Sequence, residues 1–318
     1  MSNEPFDVAG LTAQPGERVS QVLELTLAGV TTQLPLFVLN GAQDGPTIVI
    51  TAAIHGAEYV GTVAAMRLAH QIDPAQLRGQ LVIAPIASML AYKKRSIYIC
   101  PPDDKNLNRC FPGDPQGSFA EQLADWLFQN LIRRADAYLD LHGGDLNEGL
   151  VPFSIVKRTG NATLDAAAMA LAEAFGLPDI VASEVKGATV GAAADIGIPA
   201  VLAEVGGQGV WRSDEVQQMH DGLLRSLAHM DLIDTNAPPA PATRVLSEFA
   251  WLRSEHDGLW HPTCEVGDTV TKGQHVGEVV DYLGNLVQTA VSPATGTVLF
   301  LVTTLAMNKS DPLLAVGA

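Results

Sequence analysis

His55 and Glu58 stand three residues apart in ITAAIHGAEYVG, and an imidazole with a carboxylate at that spacing makes two ligands for a divalent metal. The apolar run from Thr47 to Ile54 reads as a buried parallel-type strand, and YVGTVAAMRLAHQI after it has the apolar spacing of an amphipathic helix. The pair therefore sits where strand turns into helix. In a helix's first turn residues i and i+3 share a face, and strand carboxyl ends are where open α/β sheets build their sites. His142, in AYLDLHGGD, again ends an apolar strand and supplies a third donor. Three protein ligands leave the fourth tetrahedral position for water, the pattern of a catalytic rather than a structural zinc. A lone histidine at a strand end is more often a hydrogen-bonded structural residue, so the assignment leans on the residues around it.

Further segments carry residues of the same kind. Glu204 closes the apolar stretch of AVLAEVGGQGVW just before glycines; a carboxylate there could act as general base for a water, or serve only as a helix cap or ion-pair partner. KKRSIYICPPDDKNLNRCFPGD is punctuated by proline and glycine, reads as loop, and holds Arg95, Asn108 and Arg109. A guanidinium is permanently charged and presents a rigid donor fork, which suits a carboxylate or a carbonyl oxygen; a surface ion pair is the plainer use. Asp140 lies two residues before His142 on the same strand face, where it either orients that histidine or caps a neighbouring turn.

The elements that must position these residues alternate as in α/β proteins. Strands are expected at Gln21–Leu27, Gln33–Asn40, Thr47–Ile54, Leu81–Ile86, Ala137–Leu141, Phe153–Val156 and Ala200–Glu204, and helices at Glu58–Gln71, Phe119–Arg134, Ala162–Phe175 and Asp214–His229. Ser118 and Glu121 make a capping box for the second helix. TNAPPAPAT, residues 235–243, reads as a Pro/Ala linker between a catalytic α/β domain at 1–234 and a β appendage at 244–318. In the appendage, CEVGDTVTKGQHVGEVV and SPATGTVLFLVTTLAMNKSDPLLAV resemble the flattened β-sandwich of biotinyl and lipoyl carriers. VVDYLGNLVQTAV, where those carriers present a modified lysine, contains none, so no prosthetic group is expected.

Taken in order, HGAE, NLNRCFPG, DLHGG and AEVGGQG resemble the succinylglutamate desuccinylase/aspartoacylase family, relatives of the zinc carboxypeptidases. HGAEYVG and LNRCFPG look most like the bacterial branch that includes N-acetyl-2,4-diaminobutyrate deacetylase. DLHGGDLNE departs from that branch's DLHSGG, which leaves the particular substrate open. The resemblance implies a zinc carboxypeptidase-like mixed sheet flanked by helices, with an all-β, barrel-sandwich appendage. It implies one zinc ion per chain on His55, Glu58 and His142, and Glu204 activating water and passing its proton to the leaving nitrogen. Arg95 would polarise the scissile carbonyl, and Asn108 and Arg109 would grip a substrate carboxylate. The expected activity is hydrolysis of the amide bond of a small N-acyl amino acid. The rivals are a metallocarboxypeptidase acting on short peptides and a non-catalytic zinc- or ligand-binding protein on the same scaffold.

Composition limits the partners. The 318 residues carry 19 Lys+Arg against 35 Asp+Glu, a net charge of −16, which argues against nucleic acid and, more weakly, against an anionic membrane surface. Three cysteines without CxxC spacing fit reduced thiols better than a disulfide frame. The polar start MSNEPFD does not read as a signal peptide, and no apolar run is long enough to cross a bilayer. The expectation is a soluble cytoplasmic enzyme with a small-molecule substrate, as a monomer or a homo-oligomer.

Overall fold

The computed structural model describes residues 4–183, 185–234 and 237–318; Thr235 and Asn236, which begin the expected linker, lie outside the described residues. A nine-stranded mixed sheet dominates, in the order Arg244–Val245, Asp179–Ser183, Phe153–Lys157, Ala200–Glu204, Ala137–His142, Gln43–Ala52, Arg78–Ala84, Val30–Asn40, Glu17–Leu27. Its three central strands run parallel, with Ala52 opposite Leu141 and His142 opposite Glu204. That register brings three carboxyl ends abreast.

Both faces of the sheet are covered, which is why the central strands are apolar without alternation. Ile48 and Ile50 point into a core shared with helices Tyr59–Gln71, Ala162–Phe175 and Ser213–His229, while Val49 points into a second core with Phe119–Asn130. The strand expected to run to Ile54 stops at Ala52, because Ala53 turns the chain with φ of 51°. The helix expected to reach Arg134 ends at Asn130; Leu131 caps it with φ of −116°, its N–H still donating to the Leu127 carbonyl, and a 3-10 turn, Ile132–Arg134, follows. The capping box is formed, with the Ser118 N–H donating to the Glu121 carboxylate at 2.8 Å.

The C-terminal region is all β and holds two sheets around Trp260, Val276, Val298 and Leu313–Val316. Strands are traded across the expected boundary. Arg244–Val245 joins the edge of the main sheet beside Asp179–Ser183, and Glu148–Leu150 leaves the main body to pair with Gly296–Val302. Among the described residues no helix is long and apolar enough to cross a membrane.

Candidate metal centre and active site

Close backbone contacts fix the turns after the central strands. A Cβ on Gly56 would lie 2.2 Å from the Ala91 carbonyl oxygen, and one on Gly143 would lie 2.4 Å from that of Val205, so the residues beside His55 and His142 must be glycine. With the turns held, His55, Glu58 and His142 converge: one ligand atom from each lies within 4.8 Å of the others, all three side chains buried. Glu58 bridges the two rings, with Oε1 2.7 Å from His55 Nδ1 and Oε2 2.9 Å from His142 Nδ1.

The opposite ring nitrogens are already engaged. His55 Nε2 lies 3.1 Å from Asn106 Oδ1, and His142 Nε2 lies 2.9 Å from Asp140 Oδ2. Asp140 is itself held by the hydroxyls of Thr51 and Thr189 and has no exposure. Each imidazole is therefore turned so that Nδ1 faces the common point, as ligand histidines are oriented by their outer hydrogen bonds.

Charge completes the fit to a cation. Burial alone raises the Glu58 pKa, but His55 and His142 hold it down to about 2. Burial lowers that of His142, and the carboxylates of Asp140 and Glu58 more than reverse this, taking it well above the ordinary range. Burial pushes Asp145 up to about 7, Glu148 up to about 8 and Glu204 well above a normal carboxyl, with the Glu58 charge adding to each. Such crowding of carboxylates is what a divalent ion relieves, and two imidazoles with one carboxylate form a donor set suited to zinc.

These residues open onto a cavity of about 350 Å³. Glu204, Asn108 and Arg109 line it. Part of the Glu204 surface is open to the cavity, and protein encloses the rest. Asn108 is buried; its Oδ1 accepts the Thr189 N–H at 2.9 Å, and its backbone carbonyl accepts from Arg109 Nη1 at 2.6 Å. Burial lowers the Arg109 pKa and the opposing charge of Glu204 raises it, so the two face each other electrostatically. Arg95 is not brought to this wall. It is exposed, at the left-handed end of helix Met89–Lys94 with φ of 55°, and its charge acts on Tyr59.

Several cavity residues carry little sequence signal. Asn106 grips His55 from the two-residue strand Lys105–Asn106, and Tyr98 stands edge-on to His55 with ring centroids 6.0 Å apart. Glu148 begins the three-residue strand Glu148–Leu150, too short to show a period. From the appendage come Phe249, Trp251 and Arg253, whose i, i+2, i+4 spacing marks one strand face and is the one pattern that could have drawn attention to them.

Residues 44–230 match the family model of the succinylglutamate desuccinylase/aspartoacylase catalytic domain. The chain belongs to this family. It is 30% identical over 248 residues, covering 75% of this chain and 71% of the relative, to the N-alpha-acetyl-L-2,4-diaminobutyric acid deacetylase of Halomonas elongata. The product-bound ectoine utilization protein EutE (DoeB) from Ruegeria pomeroyi is similar with a TM-score of 0.89 at 26% identity, over 99% of each chain. A succinylglutamate desuccinylase/aspartoacylase from Rhodobacter sphaeroides gives 0.85 at 27% identity, over 94% of this chain and 95% of that one. Coverage this complete takes in the C-terminal β region as well as the catalytic sheet of the family.

Proposed function

We propose that this desuccinylase/aspartoacylase-family protein is a zinc-dependent hydrolase that cleaves the amide bond of small N-acyl amino acids. The observation that carries this reading is the convergence of His55, Glu58 and His142 at parallel strand ends, with Glu204 on the wall of the same cavity. Zinc held by the first three supplies Lewis acidity, which lowers the pKa of a water and polarises a carbonyl. Glu204 takes the proton from the attacking water and hands it to the departing nitrogen, so that the products are a carboxylate and a free amine. The enclosed setting that raises its pKa suits a group that must hold a proton between those two transfers. Asn108 and Arg109 grip the substrate carboxylate, where charge-assisted hydrogen bonds fix its orientation.

The domain reading follows the same lines: a catalytic unit at 1–234 and a barrel-sandwich appendage at 244–318 that closes the cavity. A space of about 350 Å³ walled by the appendage favours a small substrate over a long peptide. The free thiols Cys100, Cys110 and Cys264 fit a reducing, cytoplasmic setting.

The test is a panel of N-acetyl and N-succinyl amino acids and tetrapeptides offered to zinc-loaded protein. Hydrolysis of N-acyl amino acids, its loss on chelation, and no cleavage of the tetrapeptides are expected. Efficient tetrapeptide cleavage would favour the carboxypeptidase reading, and no turnover at full zinc occupancy would favour a binding protein. Glu204→Gln should keep its metal and lose about 10²- to 10⁴-fold in kcat; a loss below about tenfold would assign the proton transfer to another group.

A further inference from the structure

We infer that the outer part of the cavity is a subsite for an uncharged apolar group of the substrate, by preference an aromatic ring, and that Trp251 sets this preference. The inference deepens the deacylase reading and rests on it. Its basis is an aromatic ladder that crosses from the main sheet to the appendage. Phe153 lies 5.6 Å from Phe249, Phe249 lies 5.4 Å from Trp251, and Trp251 lies 5.1 Å from Phe300, measured between ring centroids. All four line the cavity, and Trp251 remains 44% exposed despite two aromatic neighbours. Its uncovered surface is the kind that a ring or aliphatic chain covers with gain, through area removed from water and edge-to-face contact.

The charges around this wall point the same way. Its two cations are both occupied: Arg253 lies 5.6 Å over the Trp251 ring and donates to the Ser310 carbonyl at 3.0 Å, while Lys157 is paired with Asp195, which is not part of the cavity wall. A substrate ammonium placed there would meet two like charges and give up its water for no counter-charge, with only ring faces, one of them already taken by Arg253, to attract it. A substrate carboxylate would have to draw Arg253 off the indole or Lys157 off Asp195. The carboxylates that do line the cavity, Glu58, Glu148 and Glu204, belong to the metal pole, where Glu148 and Glu204 lie within electrostatic reach of Glu58. Glu148 is the contrary group, since its Oε1 has no hydrogen-bond partner among the described residues and would suit a cation that reached that far.

The experiment compares kcat/KM of the zinc-loaded protein for N-acetylphenylalanine, N-benzoylglycine, N-acetylalanine, N-acetylaspartate and Nα-acetyl-2,4-diaminobutyrate. The first two carry the ring on the amine side and on the acyl side, and at least one of them should exceed N-acetylalanine by about tenfold or more. In Trp251→Ala the ratio of that aromatic substrate to its small counterpart should fall by about tenfold, and Trp251→Phe should restore most of it. A preference for the diaminobutyrate or aspartate derivative, or an unchanged ratio in Trp251→Ala, would overturn the inference. Calorimetric binding of the same five compounds separates the two readings. If nothing is hydrolysed, the deacylase reading fails, and tighter binding of the aromatic compounds, weakened by Trp251→Ala, still decides the subsite.

Discussion

Asp140 reaches the metal position only through His142, so its replacement isolates orientation from ligation. Asp140→Asn should leave the fold in place and weaken zinc about 10- to 100-fold, measured by competition with a chelator. His55→Ala or His142→Ala should lose the metal outright by elemental analysis, and full occupancy in either variant would remove that residue from the ligand set. Glu148 gives a pH signature. Its carboxyl is raised from 4.5 to about 8 in the folded protein, so the folded state favours the protonated form. Its contribution is intact below the unfolded pKa of 4.5 and is lost as pH rises through that value toward about 8. In metal-free protein, Glu148→Gln should therefore gain on wild type across that window, by up to about 1.4 kcal/mol per pH unit. A flat difference in urea midpoints from pH 5 to 8 would count against a neutral buried Glu148. Arg95 separates two arrangements. Exposed as it stands, Arg95→Ala should change kcat by less than about threefold, whereas a hundredfold fall would mean that the loop between Arg95 and Tyr98, both at positive φ, swings inward during turnover.

The elements that carry the metal position were legible because their signal is long or chemically marked. Ala200–Glu204 and Ala162–Phe175 fall where periodicity puts them, and HGAE and DLHGG announce strand ends by apolar runs that meet glycine. Asp179–Ser183 and Thr189–Asp195 were not anticipated: a five-residue strand has little room for a period, and TVGAAAD has no apolar face to read. Glu148–Leu150 is beyond local reading altogether, since three residues become a strand only because Gly296–Val302 lies beside them. The cavity's outer wall was missed for the same reason. Phe249 and Trp251 look like ordinary strand residues until the appendage is folded against Phe153. The turn glycines yield a prediction at this scale. Gly143→Ala must move either His142 or Val205, and should cost metal affinity as well as about 1–3 kcal/mol of stability, read by chelator competition and by melting.

At the scale of the molecule, the exchange of strands ties the two regions into one cooperative body. Ending the chain at Pro241 would uncover Phe153 and Val181 and strip Glu148–Leu150 and Asp179–Ser183 of a neighbouring strand each. Each large apolar side chain so exposed costs about 1.5–3 kcal/mol against a total stability of about 5–15 kcal/mol. The truncated protein should show no cooperative melt, and the full chain a single calorimetric transition; two separate transitions would mean independent units. The same exchange bears on how the protein is born. His55, Glu58, His142 and Glu204 have all been translated when Arg244 is still to come, yet the framework beneath them closes only when Gly296–Val302 arrives to lie along Glu148–Leu150. At about 5–20 residues per second that wait lasts seconds, during which an unpaired sheet edge stands open. Ribosome-stalled chains ending near Asp234 should accordingly hold no chelator-resistant zinc, while the completed chain does. On the proposed reading, metal capture then waits on Gly296–Val302, and damage to that strand would cost the site its ion without touching a single ligand.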